Sequence, residues 1–275
     1  MSVALKHASF TLSDGPTLAY TLRAAPGPAA PKIALIHSLA LDRSVWDGVV
    51  ERLDADVLTY DCRGHGLSDR RARPYTAELF AHDLAELLDH VGWEQATIAG
   101  CSMGGCVALA FGGLYPKRTT GLGLIDTTAW YGPKAAATFK ERADAARAKG
   151  MAALFDFQST RWFSDQFRAQ HPEVLKRTLD VFVASDVDCY AATCQLLGEV
   201  DTRGHLPKFP MPVAIVVGEE DYATPVDMAR ELHSAIPQST LTIIPGARHL
   251  TPIEFPDRIA SELQALIGRA AASHT

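Results

Sequence analysis

A serine inside the pattern G-x-S-x-G constrains the fold of this chain more than any other feature. The pattern spans residues 100–104 and lies between a short β-branched and apolar run, 95–99, and a run of small apolar residues, 106–115. A strand that turns sharply into a helix holds such a serine at the tip of the turn, and the flanking glycines relieve the crowding there. We therefore predict a strand–turn–helix unit that presents the hydroxyl of Ser102 to a cleft.

A nucleophilic serine needs a histidine to accept its proton and an acid to orient that histidine. Asp221 is on a loop after the strand-like run 213–217, and His249 is on a loop after the last such run, 241–244. The chain order Ser, Asp, His is typical of α/β-hydrolases and differs from the orders in chymotrypsin-like and subtilisin-like proteases. We predict that Ser102, Asp221 and His249 form a catalytic triad.

Other residues compete for the acid and base positions. Asp126 ends the strand-like run 122–125 and could reach the same histidine, and a small shift of the loop would present Glu219 or Glu220 instead. The histidines that compete with His249 as the base are His37, His65, His205 and His233. The remaining histidines have polar or helical surroundings without a partner in sequence; they are His7, His82, His90, His171 and His274.

A second backbone donor is expected on the loop that follows the strand-like run 33–36. In folds of this kind, that loop and the residue after the nucleophile supply the N–H groups that stabilise an oxyanion. The candidates are the N–H of Leu39 and the N–H of Met103, which also begins the helix. The alternative is that His37 and Ser38 only shape the loop.

The sequence provides no motif for a cofactor or a metal ion. The glycine cluster 63–68 lacks the third glycine of a dinucleotide site, and it is not followed by a helix pattern. The chain has no phosphate-binding loop, H-E-x-x-H or C-x-x-C sequence. We predict that the protein uses neither a cofactor nor a metal.

Composition and charge argue against several classes of partner. The 275 residues have a net charge of −6, which is unfavourable for binding nucleic acid or an anionic membrane. There is no apolar run of about 20 residues, and residues 1–7 do not have the pattern of a signal peptide. The five cysteines have no metal-ligand spacing, so we expect reduced thiols and a cytoplasmic protein.

Strand-like and helix-like segments alternate over residues 32–126 and again from 211 onward, which predicts a mainly parallel sheet covered by helices. The intervening segment has little strand pattern and predicts helices at 135–148, 151–157, 172–184 and 189–197. We predict an α/β core of residues 1–128 and 208–275, with an all-helical cap, residues 129–207, inserted after the sixth strand. Aromatic residues of the cap would line a pocket or form the cap's own core; they are Trp130, Tyr131, Phe139, Phe155, Trp162, Phe163 and Phe167.

Together, these motifs resemble the 3-oxoadipate enol-lactonases, which are capped α/β-hydrolases of the β-ketoadipate pathway. The resemblance covers nearly the whole chain, and its most specific part is in the cap. The matching stretches are residues 38–39, 41–46, 60–69, 74–76, 84–92, 102–105, 161–163, 190–194, 221–225 and 249–250. The resemblance implies a mostly parallel eight-stranded sheet and hydrolysis of a carboxylated enol-lactone in aromatic catabolism. The chain departs from the family at His37 and Ala40, where the family usually has asparagine and glycine.

A substrate with a carboxylate implies a cationic side chain near the pocket. The candidates for substrate contact are Arg43 and Arg161, together with Trp130 and Trp162. The expected partner is therefore a small ester or lactone, and the oligomeric state is left open.

Several other activities use the same triad. A carboxylesterase, another lactonase, a perhydrolase or a C–C bond hydrolase would differ only in the pocket. A small-molecule receptor with slow residual hydrolysis is the alternative of another class. A dehalogenase or epoxide hydrolase is disfavoured because these enzymes have a carboxylate where Ser102 stands.

Overall fold

The computed structural model describes residues 5–27 and 30–273. Residues 1–4 and His274, which entered the sequence analysis, lie outside this range. Within it, eight strands form one sheet in the order β1-β2-β4-β3-β5-β6-β7-β8. The strands are β1 (Leu5–Thr11), β2 (Thr17–Arg23), β3 (Lys32–Ile36), β4 (Asp56–Tyr60), β5 (Ala96–Cys101), β6 (Thr119–Ile125), β7 (Val213–Gly218) and β8 (Ser239–Ile244).

Most neighbouring strands in this sheet are parallel, as predicted. β2 is antiparallel to both β1 and β4, whereas every pair from β4 across to β8 is parallel. All residues of β5 and β7 are buried, which explains why these strands appear in the sequence as continuous apolar runs rather than alternating ones. The carboxyl ends of the parallel strands meet at one edge of the sheet, where ligands bind in open α/β folds.

The hairpin of β1 and β2 was not predicted as strands, because the alternation of segments was recognised only from residue 32 onward. β1 is at the edge of the sheet, and most of its residues are exposed. Its sequence therefore mixes polar and apolar side chains and lacks the apolar run of a buried strand.

Eleven α-helices occur in the described part of the chain. They are α1 (Asp47–Val50), α2 (Ala77–His90), α3 (Met103–Leu114), α4 (Ala135–Lys149), α5 (Phe155–Trp162), α6 (Asp165–Gln170), α7 (Pro172–Val183), α8 (Val187–Glu199), α9 (Val226–Ala235), α10 (Thr251–Glu254) and α11 (Pro256–Ala272). Around the centre of the sheet, α3 packs on β5 and β6, and α11 packs on β6 and β7. Across residues 5–27 and 30–273, no helix is both long and apolar enough to cross a bilayer.

Helices α4–α8 lie between β6 and β7, in the segment predicted as a cap. The longest two, α4 and α8, pack along each other. The predicted helix at 151–157 is instead a 3₁₀ turn at Met151–Leu154 that leads into α5, and the six-residue α6 was not predicted. The division of the chain into a core and a cap, residues 129–207, stays a prediction.

Candidate active site

Ser102 lies at the turn between β5 and α3, in the left-handed region of backbone conformation, with φ of 55° and ψ of −116°. Its backbone is held on both sides: its N–H donates to the carbonyl of Ile125 at 2.9 Å, and its carbonyl accepts from the Thr127 hydroxyl at 2.7 Å. A non-glycine residue at this φ stores strain that the surrounding structure must support. The turn is therefore held rigidly by the neighbouring strand β6.

The two glycines of the motif allow the close approach on which this turn depends. A Cβ atom on Gly100 would lie 2.0 Å from the carbonyl oxygen of Gly104. A Cβ atom on Gly104 would lie 2.2 Å from the carbonyl oxygen of Ile36, at the end of β3. Because both contacts are to backbone atoms, only glycine fits at either position.

Ser102, His249 and Asp221 form a continuous hydrogen-bonded chain. The distance from His249 Nε2 to Ser102 Oγ is 2.9 Å, and the distance from His249 Nδ1 to Asp221 Oδ2 is 2.8 Å. An ionised carboxylate only accepts hydrogen bonds, so Nδ1 carries the proton and Nε2 is left to accept from the serine hydroxyl. This is the arrangement in which a histidine can act as a base toward serine.

The loop after β7 fixes the carboxylate of Asp221. Its Oδ1 accepts from the backbone N–H groups of Ala223 at 2.7 Å and Thr224 at 3.0 Å, and its Oδ2 also accepts from the Thr224 hydroxyl at 2.9 Å. With His249, four donors therefore point at one buried carboxylate. Hydrogen bonds of this kind fix the orientation of the carboxylate.

The pKa of His249 is raised above its ordinary value of 6.5. Burial of the imidazole would lower this pKa, but the negative charge and the hydrogen bond of Asp221 more than compensate, and Asp126 adds to their effect. Asp221 thus favours the protonated form of the His249 imidazole.

The competing acids have other partners. Asp126 Oδ1 accepts from the Gly218 N–H at 3.1 Å, and its Oδ2 accepts from the N–H and the hydroxyl of Thr251 at 3.1 and 2.7 Å. Asp126 thus joins the ends of β6 and β7 to the start of α10. Burial of its carboxyl group raises the pKa of Asp126 well above the usual range, and the nearby charge of Asp221 raises it further. Glu219 accepts from the backbone N–H of Gly246.

The competing bases are also placed elsewhere. His37 donates from Nδ1 to the Ser38 carbonyl at 2.8 Å and accepts at Nε2 from the Cys62 N–H at 2.9 Å, and burial lowers its pKa to about 4. His65 packs on His37 and is also buried, with a pKa lowered to about 3. His37 therefore supports the loop before Leu39 as a neutral side chain. His205 packs on Gly113, and His233 bonds to Ser239 at 2.8 Å.

The predicted oxyanion donors belong to the start of α3 and to the loop after β3. Met103 is the first residue of α3, so its N–H points out of the helix start, where the helix dipole favours negative charge. Leu39 lines the same cavity as Ser102. Within the described residues, neither N–H donates to a protein acceptor, so both remain available to a ligand oxygen.

A cavity of about 530 Å³ opens beside Ser102 and His249. Ser38 and Leu39 line it from the loop after β3, and most of the remaining lining comes from the segment between β6 and β7. The predicted aromatic residues in the lining are Tyr131, Phe139 and Trp162. By contrast, Phe163 is fully buried and stacks on Phe167, so these two pack within the helical segment between β6 and β7.

Two of the four predicted substrate contacts line this cavity, and two do not. Arg161 and Trp162 are in the lining. Arg43 forms an ion pair with the buried Asp61, donates to Thr21 at 3.1 Å and borders a different surface depression. Arg43 is thus not among the residues that line this cavity, and its ion pair joins the 3₁₀ turn Arg43–Trp46 to the residue that follows β4. Substrate contact by Arg43 stays a prediction.

Trp130 is likewise not among the residues that line this cavity. It forms an isolated β-bridge with Asp201, and its ring lies 3.9 Å from the guanidinium carbon of Arg203. The tryptophan thus holds together the two ends of the cap segment.

Arg142 lines the cavity from α4 and was not predicted as a site residue. The available signal was its spacing: Phe139 and Arg142 are three residues apart in a predicted helix and so lie on one face. Arginine is usually exposed, and the pattern was therefore not recognised as part of a pocket.

The cap is joined directly to the loop that carries His249. The N–H groups of His249 and Leu250 donate to the carbonyls of Arg161 at 3.3 Å and Trp162 at 3.0 Å. Arg248 donates to the carbonyls of Thr160 and Phe163 at 2.8 and 3.0 Å. The end of α5 and the histidine loop thus form one hydrogen-bonded unit, which we call the cap–histidine junction (residues 160–164 with 248–254).

Residues 5–27 and 30–273 contain no group of three or more His, Cys, Asp or Glu side chains arranged to hold a metal ion.

The comparisons agree with this architecture. The sequence family described as the alpha/beta hydrolase fold matches residues 31–256. The chain is 29% identical over 269 residues to 3-oxoadipate enol-lactonase 2 of Acinetobacter baylyi, covering 97% of this chain and 94% of the relative. It is similar to the crystal structure of the enol-lactonase from Burkholderia xenovorans LB400, with a TM-score of 0.89, 31% identity and coverage of 95% and 100% of the two chains. A malate-bound thermophilic esterase from Thermogutta terrifontis is similar with a TM-score of 0.88, 29% identity and coverage of 96% and 99%.

Proposed function

Since the chain belongs to the alpha/beta hydrolase fold family, we propose that it is a serine hydrolase of carboxylic esters or lactones. The observation that carries this proposal is the hydrogen-bonded chain from Ser102 through His249 to Asp221, which begins in a cavity large enough for a small substrate.

Ser102 Oγ attacks the carbonyl carbon of the substrate while His249 Nε2 accepts the hydroxyl proton. The negative charge that moves to the carbonyl oxygen is stabilised by the N–H groups of Leu39 and Met103. When the tetrahedral intermediate collapses, the C–O bond to the leaving group breaks and His249 returns the proton to that oxygen. Water then attacks the acyl-enzyme by the same route, and the acid is released with Ser102 regenerated.

For the substrate, we propose 3-oxoadipate enol-lactone, and with it a role in aromatic catabolism. The support is the similarity to enol-lactonases from two organisms, which extends over the cap that forms most of the cavity. In a lactone, the leaving oxygen stays attached to the acyl group, so one open-chain acid is the product. A general carboxylesterase is the second candidate, and the similarity to the Thermogutta terrifontis esterase favours it. A cytoplasmic location stays a prediction.

The test is the steady-state hydrolysis of 3-oxoadipate enol-lactone and of a series of p-nitrophenyl esters, with the Ser102→Ala variant as the blank. We expect kcat/KM for the lactone to exceed that for the best ester by at least about 100-fold, since substrate binding energy is used in the transition state. If short esters are the better substrates, the protein is a carboxylesterase. A burst of product without sustained turnover would instead identify a receptor.

The pH dependence of kcat/KM should report the raised pKa of His249. The base must be neutral to accept the serine proton, so activity falls as the pH decreases through its pKa. Because that pKa is raised, we expect the midpoint of the acid limb above pH 6.5. A pH–rate profile with a midpoint below 6.5 would contradict this assignment.

A further inference from the structure

The cavity beside Ser102 has a buried carboxamide in its wall. Gln158 belongs to α5, is only 6% exposed and borders the cavity. It is the only buried glutamine in the described part of the chain, and the sequence contains no asparagine. Because glutamine side chains are mostly exposed in proteins, a buried one is expected to have hydrogen-bond partners.

No protein group supplies such a partner to Gln158. Among the described residues, neither the oxygen nor the nitrogen of its side chain forms a hydrogen bond. The exposed Gln95 and Gln195, by contrast, donate to protein acceptors at 2.8 and 3.0 Å. Burial of a polar group without a partner is unfavourable. Since Gln158 borders the cavity, a partner for it has to enter through the cavity.

The position of Gln158 on α5 directs its side chain to this cavity. Leu154 and Trp162 are four residues before and after it, so the three side chains follow one face of the helix, and all three line the cavity. The nearby Arg161 donates to the carbonyl of Tyr222 at 2.6 Å. The carboxamide is therefore flanked by an aliphatic and an aromatic side chain, and a hydrogen bond in such surroundings is stronger than in water.

The end of α5 also fixes the distance of the carboxamide from the catalytic groups. The carbonyl of Arg161 accepts from the N–H of His249 at 3.3 Å, and Gln158 precedes Arg161 by about 5 Å along the helix axis. Ser102 and Gln158 line one cavity of about 530 Å³. A small substrate whose carbonyl is at Ser102 can therefore extend a second group to Gln158.

We propose that Gln158 binds an uncharged polar group of the substrate, a hydroxyl or a carboxamide, and so makes the enzyme selective for esters or lactones that carry one. The side chain of glutamine has N–H donors and a carbonyl acceptor but no charge. A hydroxyl or a carboxamide also donates and accepts, so it satisfies both ends of Gln158, whereas an alkyl group satisfies neither. This inference rests on the proposed hydrolase function and adds to it a specificity-determining residue.

The test uses two pairs of esters that differ only in this polar group. Ethyl adipamate and ethyl 6-methylheptanoate differ in the acyl part, and 4-carbamoylbutyl acetate and 5-methylhexyl acetate differ in the alcohol part. In each pair, an isopropyl group replaces a carboxamide of nearly the same shape. Hydrolysis is followed by the release of acid.

The variants are Gln158→Met, which keeps the length of the side chain without its hydrogen bonds, and Gln195→Met as the matched control. Gln195 is also a helical glutamine, but it belongs to α8, is exposed and lines a different groove.

The measured quantity is the ratio of kcat/KM for each carboxamide ester to kcat/KM for its isopropyl analogue. We expect Gln158→Met to lower this ratio by about 10- to 100-fold in one of the two pairs, as the loss of two hydrogen bonds would give. For the isopropyl ester, kcat/KM should change less than about threefold, because Gln158 does not contact the reacting atoms. Gln195→Met should leave both ratios unchanged. If neither ratio falls in Gln158→Met, the proposal is overturned.

Thermal unfolding separates recognition of the substrate from a role in the fold. Because the carboxamide has no protein partner, Gln158→Met breaks no hydrogen bond of the protein, and we expect Tm not to fall. A lower Tm with unchanged ester ratios would make Gln158 a structural residue and overturn the proposal.

A binding measurement separates this inference from the hydrolase function. Adipamide binding to Ser102→Ala is measured by calorimetry, with and without Gln158→Met. We expect the second substitution to weaken adipamide binding by about 10-fold or more. Ester hydrolysis that depends on Ser102 but not on Gln158 overturns the role of Gln158 alone. Weakened binding without any Ser102-dependent ester hydrolysis in the wild type would instead overturn the proposed hydrolase function and support the carboxamide site.

Discussion

The Ser102→Ala variant should lose about 10⁴- to 10⁶-fold in kcat, and His249→Ala should lose a similar amount. Without Oγ there is no atom to form the acyl-enzyme, and without Nε2 there is no base 2.9 Å from that oxygen to remove its proton. Because the two side chains act in one step, we expect the double variant to be no slower than the slower single variant. The measurement is kcat for the best substrate, from progress curves at high enzyme concentration.

Circular dichroism and thermal unfolding provide the folding controls. Alanine at residue 102 also removes the only hydroxyl in the strained turn, yet the backbone bonds to Ile125 and Thr127 remain. Multiplicative losses in the double variant would show that Ser102 and His249 act independently. Undiminished turnover by Ser102→Ala would exclude the nucleophilic mechanism altogether.

The second large effect is expected for Asp221→Asn, with a loss of about 10³- to 10⁴-fold in kcat. Oδ1 accepts from two backbone N–H groups, so the single amide oxygen of asparagine should take that position. The NH₂ group then faces His249 Nδ1, which must accept rather than donate. The imidazole proton moves to Nε2, and the histidine can no longer accept the proton of Ser102.

Asp126→Asn is the matched comparison, since both acids are buried at the same edge of the sheet. Asp126 accepts from Gly218 and Thr251 and not from the triad, so its replacement should mainly reduce stability, by about 1–3 kcal/mol. We expect kcat to change less than about tenfold, because the charge of a neighbouring group such as Asp126 changes the pKa of His249 only modestly. Both variants are compared by kcat and by urea unfolding. A larger loss of kcat for Asp126→Asn would reassign the acid.

The fold class and the family resemblance predicted from the sequence are confirmed by the eight-stranded sheet and by the matches to relatives. They were predictable because buried parallel strands are continuous apolar runs and because the motif around Ser102 requires one local geometry. The exposed hairpin β1–β2 lacks both signals. Short α6 depends on a Ser164 cap and on packing against the rest of the cap, which a local pattern does not reveal.

The predictions for the pocket depended on tertiary contacts and were less complete. Arg43 and Arg142 are both arginines near aromatic or motif residues in the sequence, but only the fold decides which one meets an acid. Asp61 is 18 residues from Arg43 and neutralises it, whereas Arg142 meets Tyr190, 48 residues away, and no carboxylate partner in the described chain. Which arginine lines the cavity without an acid partner therefore follows from the three-dimensional pairing of charges.

The cap–histidine junction has a consequence for enzyme engineering. The carbonyls of Arg161 and Trp162 hold the backbone of the loop that carries the triad histidine. A chimaera that takes only the cap from a relative would therefore replace residues 160–164. Residues 248–254, which form hydrogen bonds with them, would stay unchanged and no longer match. To transplant specificity without disturbing the base, residues 160–164 and 248–254 must be exchanged together or both retained. In this protein, the end of α5 and the loop of the proposed catalytic histidine are hydrogen-bonded to each other, so a single exchange point cannot separate them.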